Sequence, residues 1–112
     1  MPRRPTPDPF ALKVGQRIRK LRQEAGLTIE KLAYESDLGS KGHLSSLEKG
    51  LVMPTVATLN VLAERLEVLP LDLITFPEDD ARQKLIDRTR QLSEKELRRI
   101  NKSFPPISIE RK

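Results

Sequence analysis

The chain contains no cysteine, which excludes a disulfide framework and a thiolate metal site. Histidine occurs once, at His43, so there is no imidazole pair to hold a metal. No base stands near a serine to make a nucleophilic pair, and no glycine-rich phosphate loop occurs. An enzyme is not expected, and no cofactor or metal is implied. Tryptophan is absent and aromatic residues make up 4% of the chain, so any core must be built from leucine, isoleucine, valine and alanine. No apolar run is long enough to cross a membrane, and no membrane partner is expected. Residues 1–9 carry two arginines without the apolar segment of a secretory leader. A cytoplasmic location fits these absences.

What is present is charge and helical periodicity. The 112 residues allow one small domain with a short appendage. The net charge of +5 is unevenly spread. Residues 1–26 and the stretch from Asp79 onward are basic, whereas residues 27–78 have an acidic balance. That asymmetry is consistent with a polyanionic partner; ordinary solvated helix surface is the plainer reading.

Residues 1–9 hold four prolines and read as a flexible arm. Arg3 and Arg4 either trail along a phosphate backbone or have no fixed partner. Val14, Ile18, Leu21 and Ala25 recur at helical spacing, predicting a first helix over residues 10–25 with Gly26 as a left-handed cap. Arg17, Arg19 and Lys20 fall outside that stripe, while Arg22 borders it. Thr28 is suited to cap a second helix over residues 29–36, with Leu32 and Ala33 inward. Asp37-Leu38-Gly39 breaks it, and Ser40 is placed to cap a third helix over residues 41–49, ended by Gly50. Leu44 and Leu47 are its inward side, leaving Lys41, Gly42, Ser45, Ser46 and Lys49 outward. Pro54-Thr55 opens a fourth helix carrying Leu59, Leu62, Ala63 and Leu66. A brief fifth helix is expected within residues 68–74. Asp79 and Asp80 can cap a sixth, and Ser93-Glu94-Lys95-Glu96 has the form of a capping box.

In this order the residues resemble the Cro/cI-type helix-turn-helix regulators, the XRE family. The resemblance covers residues 14–76. It rests on Gly15-x-x-Ile18-Arg19-x-x-Arg22, Gly26-Leu27-Thr28, Leu32-Ala33, Leu44-Ser45-x-Leu47-Glu48-Lys49-Gly50, and Pro54-Thr55 leading into Leu59 and Leu62. It implies an all-α fold, a five-helix lambda-repressor-like DNA-binding domain with a short C-terminal helical extension. It also implies that the third helix enters the major groove of DNA while the second lies across the backbone. Carried over by position, Lys41, Gly42, His43 and Ser46 are the base-contacting candidates. Arg17, Ile29, Glu30, Ser40, Ser45 and Lys49 are the candidates for phosphate contact, Ile29 and Glu30 through their backbone N–H groups. Arg22 and Glu48 are implied to form a structural ion pair. The chain departs from the family pattern in three places. Ile29 stands where glutamine is usual, the turn from Asp37 to Ser40 is one residue longer, and apolar Leu51-Val52-Met53 follows Gly50.

The organisation expected is an arm over residues 1–9, a helix-turn-helix domain over 10–78, a helical extension over 79–104 and a flexible tail over 105–112. The function expected is a sequence-specific, double-stranded DNA-binding transcription regulator, a repressor acting as a homodimer on a two-fold symmetric operator. Leu85, Leu92, Leu97 and Ile100 are the dimerisation candidates, with packing onto the fourth helix as their alternative. Other readings are a protein-interaction adaptor or antagonist presenting Leu51-Val52-Met53 to a protein partner, or the antitoxin of a toxin–antitoxin pair.

Overall fold

The computed structural model describes residues 5–37 and 40–107, and within them every regular element is helical. The α-helices are α1 (Pro9–Glu24), α2 (Ile29–Ser36), α3 (Lys41–Glu48), α4 (Val56–Leu66), α5 (Ala81–Arg88) and α6 (Glu94–Ser103). Two 3-10 turns, Pro70–Ile74 and Thr89–Gln91, precede and follow α5. The expected fifth helix is thus a 3-10 turn, capped by Asp72, whose side chain accepts from the Leu69 N–H at 2.9 Å.

Side-chain caps fix most of the helix starts. Thr28, Ser40, Thr55, Asp80 and Ser93 each accept a backbone N–H three residues on, satisfying a donor that has no partner inside the helix. Asp8 does the same for α1, with Pro9 at the first helical position. Proline is tolerated there because its missing N–H would have been unpaired, so Pro9 opens the helix instead of closing the arm. Asp79 does not share the capping with Asp80; it pairs with Lys13. Leu38 and Gly39, and Arg3 and Arg4, lie outside the described residues. Asp37 itself already takes the left-handed conformation that ends α2.

The core joins Val14, Ile18 and Leu21 of α1 to Leu32 and Ala33 of α2 and to Leu44 and Leu47 of α3. Leu62, Ala63 and Leu66 of α4 complete it with Val52, Leu73 and Phe76. Ala25 is exposed, and the buried stripe of α1 begins instead at Ala11. Val52 being buried removes the centre of the proposed partner-binding edge Leu51-Val52-Met53; its flanking residues are half-buried.

Two glycines permit the closest contacts. A Cβ on Gly15 would stand 2.3 Å from the Leu47 carbonyl oxygen and 2.6 Å from that of Glu48, so α1 rests directly on the end of α3. Gly50, at φ +74°, leaves no room for a Cβ beside the Leu12 backbone, 2.6 Å away, and its carbonyl accepts from the Asp8 N–H at 3.1 Å. The end of α3 is thereby held along α1.

Candidate nucleic-acid interface

The orientation of α3 follows from what it buries. Leu44 and Leu47 are sealed in the core, which turns the opposite side of an eight-residue helix to solvent. Lys41, Gly42, His43 and Lys49 are exposed there, with Ser45 and Ser46 half-buried between them. A Cβ on Gly42 would meet only Ser40 Oγ, at 3.6 Å, so the start of α3 can be approached to backbone distance.

Arg22 and Glu48 lock α3 to the rest of the domain. Arg22 Nε donates to Glu48 Oε2 at 2.7 Å and Nη2 to Oε1 at 3.1 Å, while Nη1 donates to the Leu27 carbonyl at 2.9 Å. This two-pronged, largely buried contact has the fork geometry that favours arginine over lysine. Hydrogen bonding to Glu48 raises the Arg22 pKa against the opposing effect of burial. One guanidinium thus joins the end of α1, the turn before α2 and the end of α3.

The start of α2 lies beside the start of α3. Glu30 Oε1 and Lys41 Nζ form an ion pair at 2.8 Å. The hydrogen bond from Lys41 is the largest cause holding the Glu30 carboxyl below its usual range. Ile29 packs half-buried against the core, so only its backbone is left for a phosphate. Ser40 is exposed, its Oγ 3.3 Å from the His43 N–H that it caps. Lys49 is free to reach outward from the end of α3.

Arg17 corrects the sequence reading. Its residue is 4% exposed; Nε donates to the Asp72 carbonyl at 2.8 Å and Nη2 to Asp87 Oδ1 at 2.5 Å. The side chain is committed to the 3-10 turn and α5, and it presents nothing to a phosphate. Its spacing of three from Val14 and four to Leu21 places it on the buried face, a signal outweighed by its charge.

The helix-turn-helix domain family matches residues 13–74. The chain belongs to the helix-turn-helix family of transcriptional regulators. A relative from Sinorhizobium fredii, described as the uncharacterized HTH-type transcriptional regulator y4dJ, is 45% identical over 67 residues, covering 60% of this chain and 84% of its own. A solved structure, the SinR protein/SinI protein complex, superimposes with a TM-score of 0.57 at 26% identity, over 80% of this chain and 91% of the matched one. The Cro/cI-type resemblance and the all-α helix-turn-helix fold therefore hold, and DNA binding in transcription regulation is the family's activity. The family match ends in the 3-10 turn before α5, so α5 and α6 lie outside the matched residues. Among the described residues no helix is long and apolar enough to cross a membrane.

Around α5 and α6 the dimerisation candidates divide. Leu85 and Ile100 are exposed, at 57% and 41%. Leu92 and Leu97 are half-buried and line an open groove of about 570 Å³ with Val68, Leu69, Leu71 and Ile86. Leu97 also borders a second hollow with Ile100 and Phe104, so the apolar surface runs on along α6.

Proposed function

We propose that the chain is a sequence-specific repressor that inserts α3 into the major groove of its operator as a homodimer. The observation that carries this reading is the outward face of α3, whose polar and basic side chains stand open while Arg22 and Glu48 fix the helix from behind. In this reading Lys41 contacts the O6 and N7 acceptors of guanine. Ser46 and His43 make secondary base contacts, and Gly42 admits the duplex closely. Ser40, Ser45, Lys49 and the leading N–H groups of α2 meet phosphates. Residues 10–78 form the DNA-binding unit and 79–104 the assembly element.

A single reading helix spans too few base pairs for useful selectivity, and two-fold pairing sets half-sites about 34–36 Å apart. The exposed apolar side chains Leu85, Ile100 and Phe104 support pairing through α5 and α6. A second reading, in which the chain takes a different protein as partner, is favoured by the likeness to a solved two-protein complex. Selection of bound DNA from a random pool tests the main reading: the winners are expected to show two-fold symmetry. Lys41→Ala is expected to reduce discrimination between selected and random DNA, and Lys49→Ala to weaken both. Winners without symmetry, or equal losses for Lys41→Ala on both DNAs in an anisotropy titration, would overturn it.

A further inference from the structure

A carboxylate stands where the DNA-binding reading brings phosphates. Glu30 lies in the first turn of α2, and its partner is the first residue of α3, on a separate helix. The fold does not need the contact: both side chains are about three-fifths exposed, at 59% and 60%, and such pairs add little stability. A first-turn acid suits the helix dipole of α2, yet that role does not require Lys41. Ionised carboxylates only accept hydrogen bonds, so whatever its backbone N–H donates, the Glu30 side chain has nothing favourable to offer a phosphate oxygen.

We propose that Glu30 is a specificity-determining residue that positions Lys41 for guanine and opposes indiscriminate binding to the phosphate backbone. This rests on the DNA-binding reading above. A lysine ammonium has three donors. With one held by Glu30 across 2.8 Å, two remain, matching the two major-groove acceptors of guanine, O6 and N7. The tether also restricts a long side chain that would otherwise swing to any phosphate. The Glu30–Lys41 pair is neutral as a unit, so it adds little to the electrostatic attraction common to all sequences. A free lysine at the same place would favour operator and random DNA alike.

The test measures Glu30→Ala, Lys41→Ala and the double variant, all in the full chain, by fluorescence anisotropy on the selected operator and a scrambled duplex across a salt series. Glu30→Ala is expected to bind scrambled DNA about 2- to 5-fold tighter, the scale of one exposed ion pair. Operator affinity gains less or falls, so the ratio between the two shrinks. The salt dependence on scrambled DNA steepens by up to about 0.9 in log–log slope, one more phosphate contact. In the Lys41→Ala background, loss of Glu30 leaves the ratio where it was. Glu30→Gln, which keeps an acceptor oxygen but not the charge, falls between wild type and Glu30→Ala. Thermal melting moves little throughout, because the pair is exposed and a first-turn acid adds only modestly to the stability of its helix.

An operator-to-scrambled ratio unmoved by Glu30→Ala, or moved equally with and without Lys41, overturns the role of Glu30 while leaving the DNA-binding reading intact. A wild-type chain that makes no distinction between the two duplexes overturns both.

Discussion

Arg17 of α1 meets Asp87 of α5 at 2.5 Å, across 70 positions of the chain. Asp87 Oδ1 also accepts from Arg90 Nε at 2.9 Å, and Arg90 Nη2 reaches Glu24 Oε2 at 3.3 Å. Gln83 of α5 accepts from the Phe76 N–H at 2.7 Å. The extension is therefore joined to the helix-turn-helix domain by polar contacts on two sides, centred on one carboxylate between two guanidinium groups.

Removing that carboxylate leaves the buried Arg17 cation with only the Asp72 carbonyl as acceptor. Asp87→Ala is expected to destabilise the chain by about 2–4 kcal/mol, below the upper range for a fully buried pair because the Asp87 side chain is 21% exposed. Arg17→Met should cost less: Asp87 keeps Arg90, and an apolar chain of similar length fills the space. Urea unfolding of the two variants checks the order, and an Arg17→Met variant less stable than Asp87→Ala contradicts it.

The same carboxylate makes the docking sensitive to acid. Burial pushes the Asp87 pKa up, but hydrogen bonds from Arg17 and Arg90 more than offset this, leaving it below its ordinary value. In the window beneath that ordinary value the unfolded chain binds the proton and the folded chain does not, so stability rises with pH. The contribution is complete above about pH 4, the usual aspartate range. It is lost as pH falls through the lowered value. Asp87→Asn is expected to lower stability at neutral pH and to flatten its fall below about pH 4. Thermal melts across that range check it; equal acid slopes in wild type and variant contradict it.

The Arg22–Glu48 pair responds differently, because neither partner has a second ion pair among the described residues. Loss of Glu48 as Glu48→Met, or of Arg22 as Arg22→Met, is expected to cost about 3–5 kcal/mol each, the penalty of a stranded buried charge. The double variant Arg22→Met/Glu48→Met, having no stranded charge, should be more stable than either single variant. A denaturant series in which the two losses simply add argues against the pairing as the source of the cost.

Much of this architecture is legible locally. Thr28, Ser40 and Ser93 announce helix starts by their side chains, and the bounds of α2 follow directly. The outward side of α3 follows from Leu44 and Leu47 alone. What escapes the sequence depends on partners far along the chain or on backbone geometry without a residue signature. Arg17 looks like a surface cation until Asp72 and Asp87 are brought to it. Asp37 and Glu67 adopt left-handed caps at φ 52° and 57° without glycine. Lys41 reads as a free lysine because nothing in the spacing of Glu30 places it on a neighbouring helix beside it. The Asp8-Pro9 start of α1 carries a local signal, a cap followed by a first-turn proline, but its place among the prolines of residues 1–9 makes it read as part of the arm.

Two glycine-to-alanine substitutions should separate the part of α3 that is packed from the part that is open. Alanine is favoured over glycine in a helix by up to about 1 kcal/mol. At Gly15 that gain is overwhelmed, because the new Cβ would lie 2.3 Å from the Leu47 carbonyl oxygen, a backbone atom that moves only if α3 shifts. A net loss of about 1–3 kcal/mol is expected from the overpacking, with the reading helix displaced. At Gly42 the Cβ meets only Ser40 Oγ at an ordinary 3.6 Å, so stability should hold or rise. DNA affinity should nevertheless fall if the duplex approaches the backbone there, since a methyl group now stands between them. Melting temperature and anisotropy measured on each variant distinguish the two sites. Gly42→Ala binding DNA as tightly as wild type would show that the start of α3 does not touch the duplex, and Gly15→Ala matching wild-type stability would show that α1 does not rest on the end of α3.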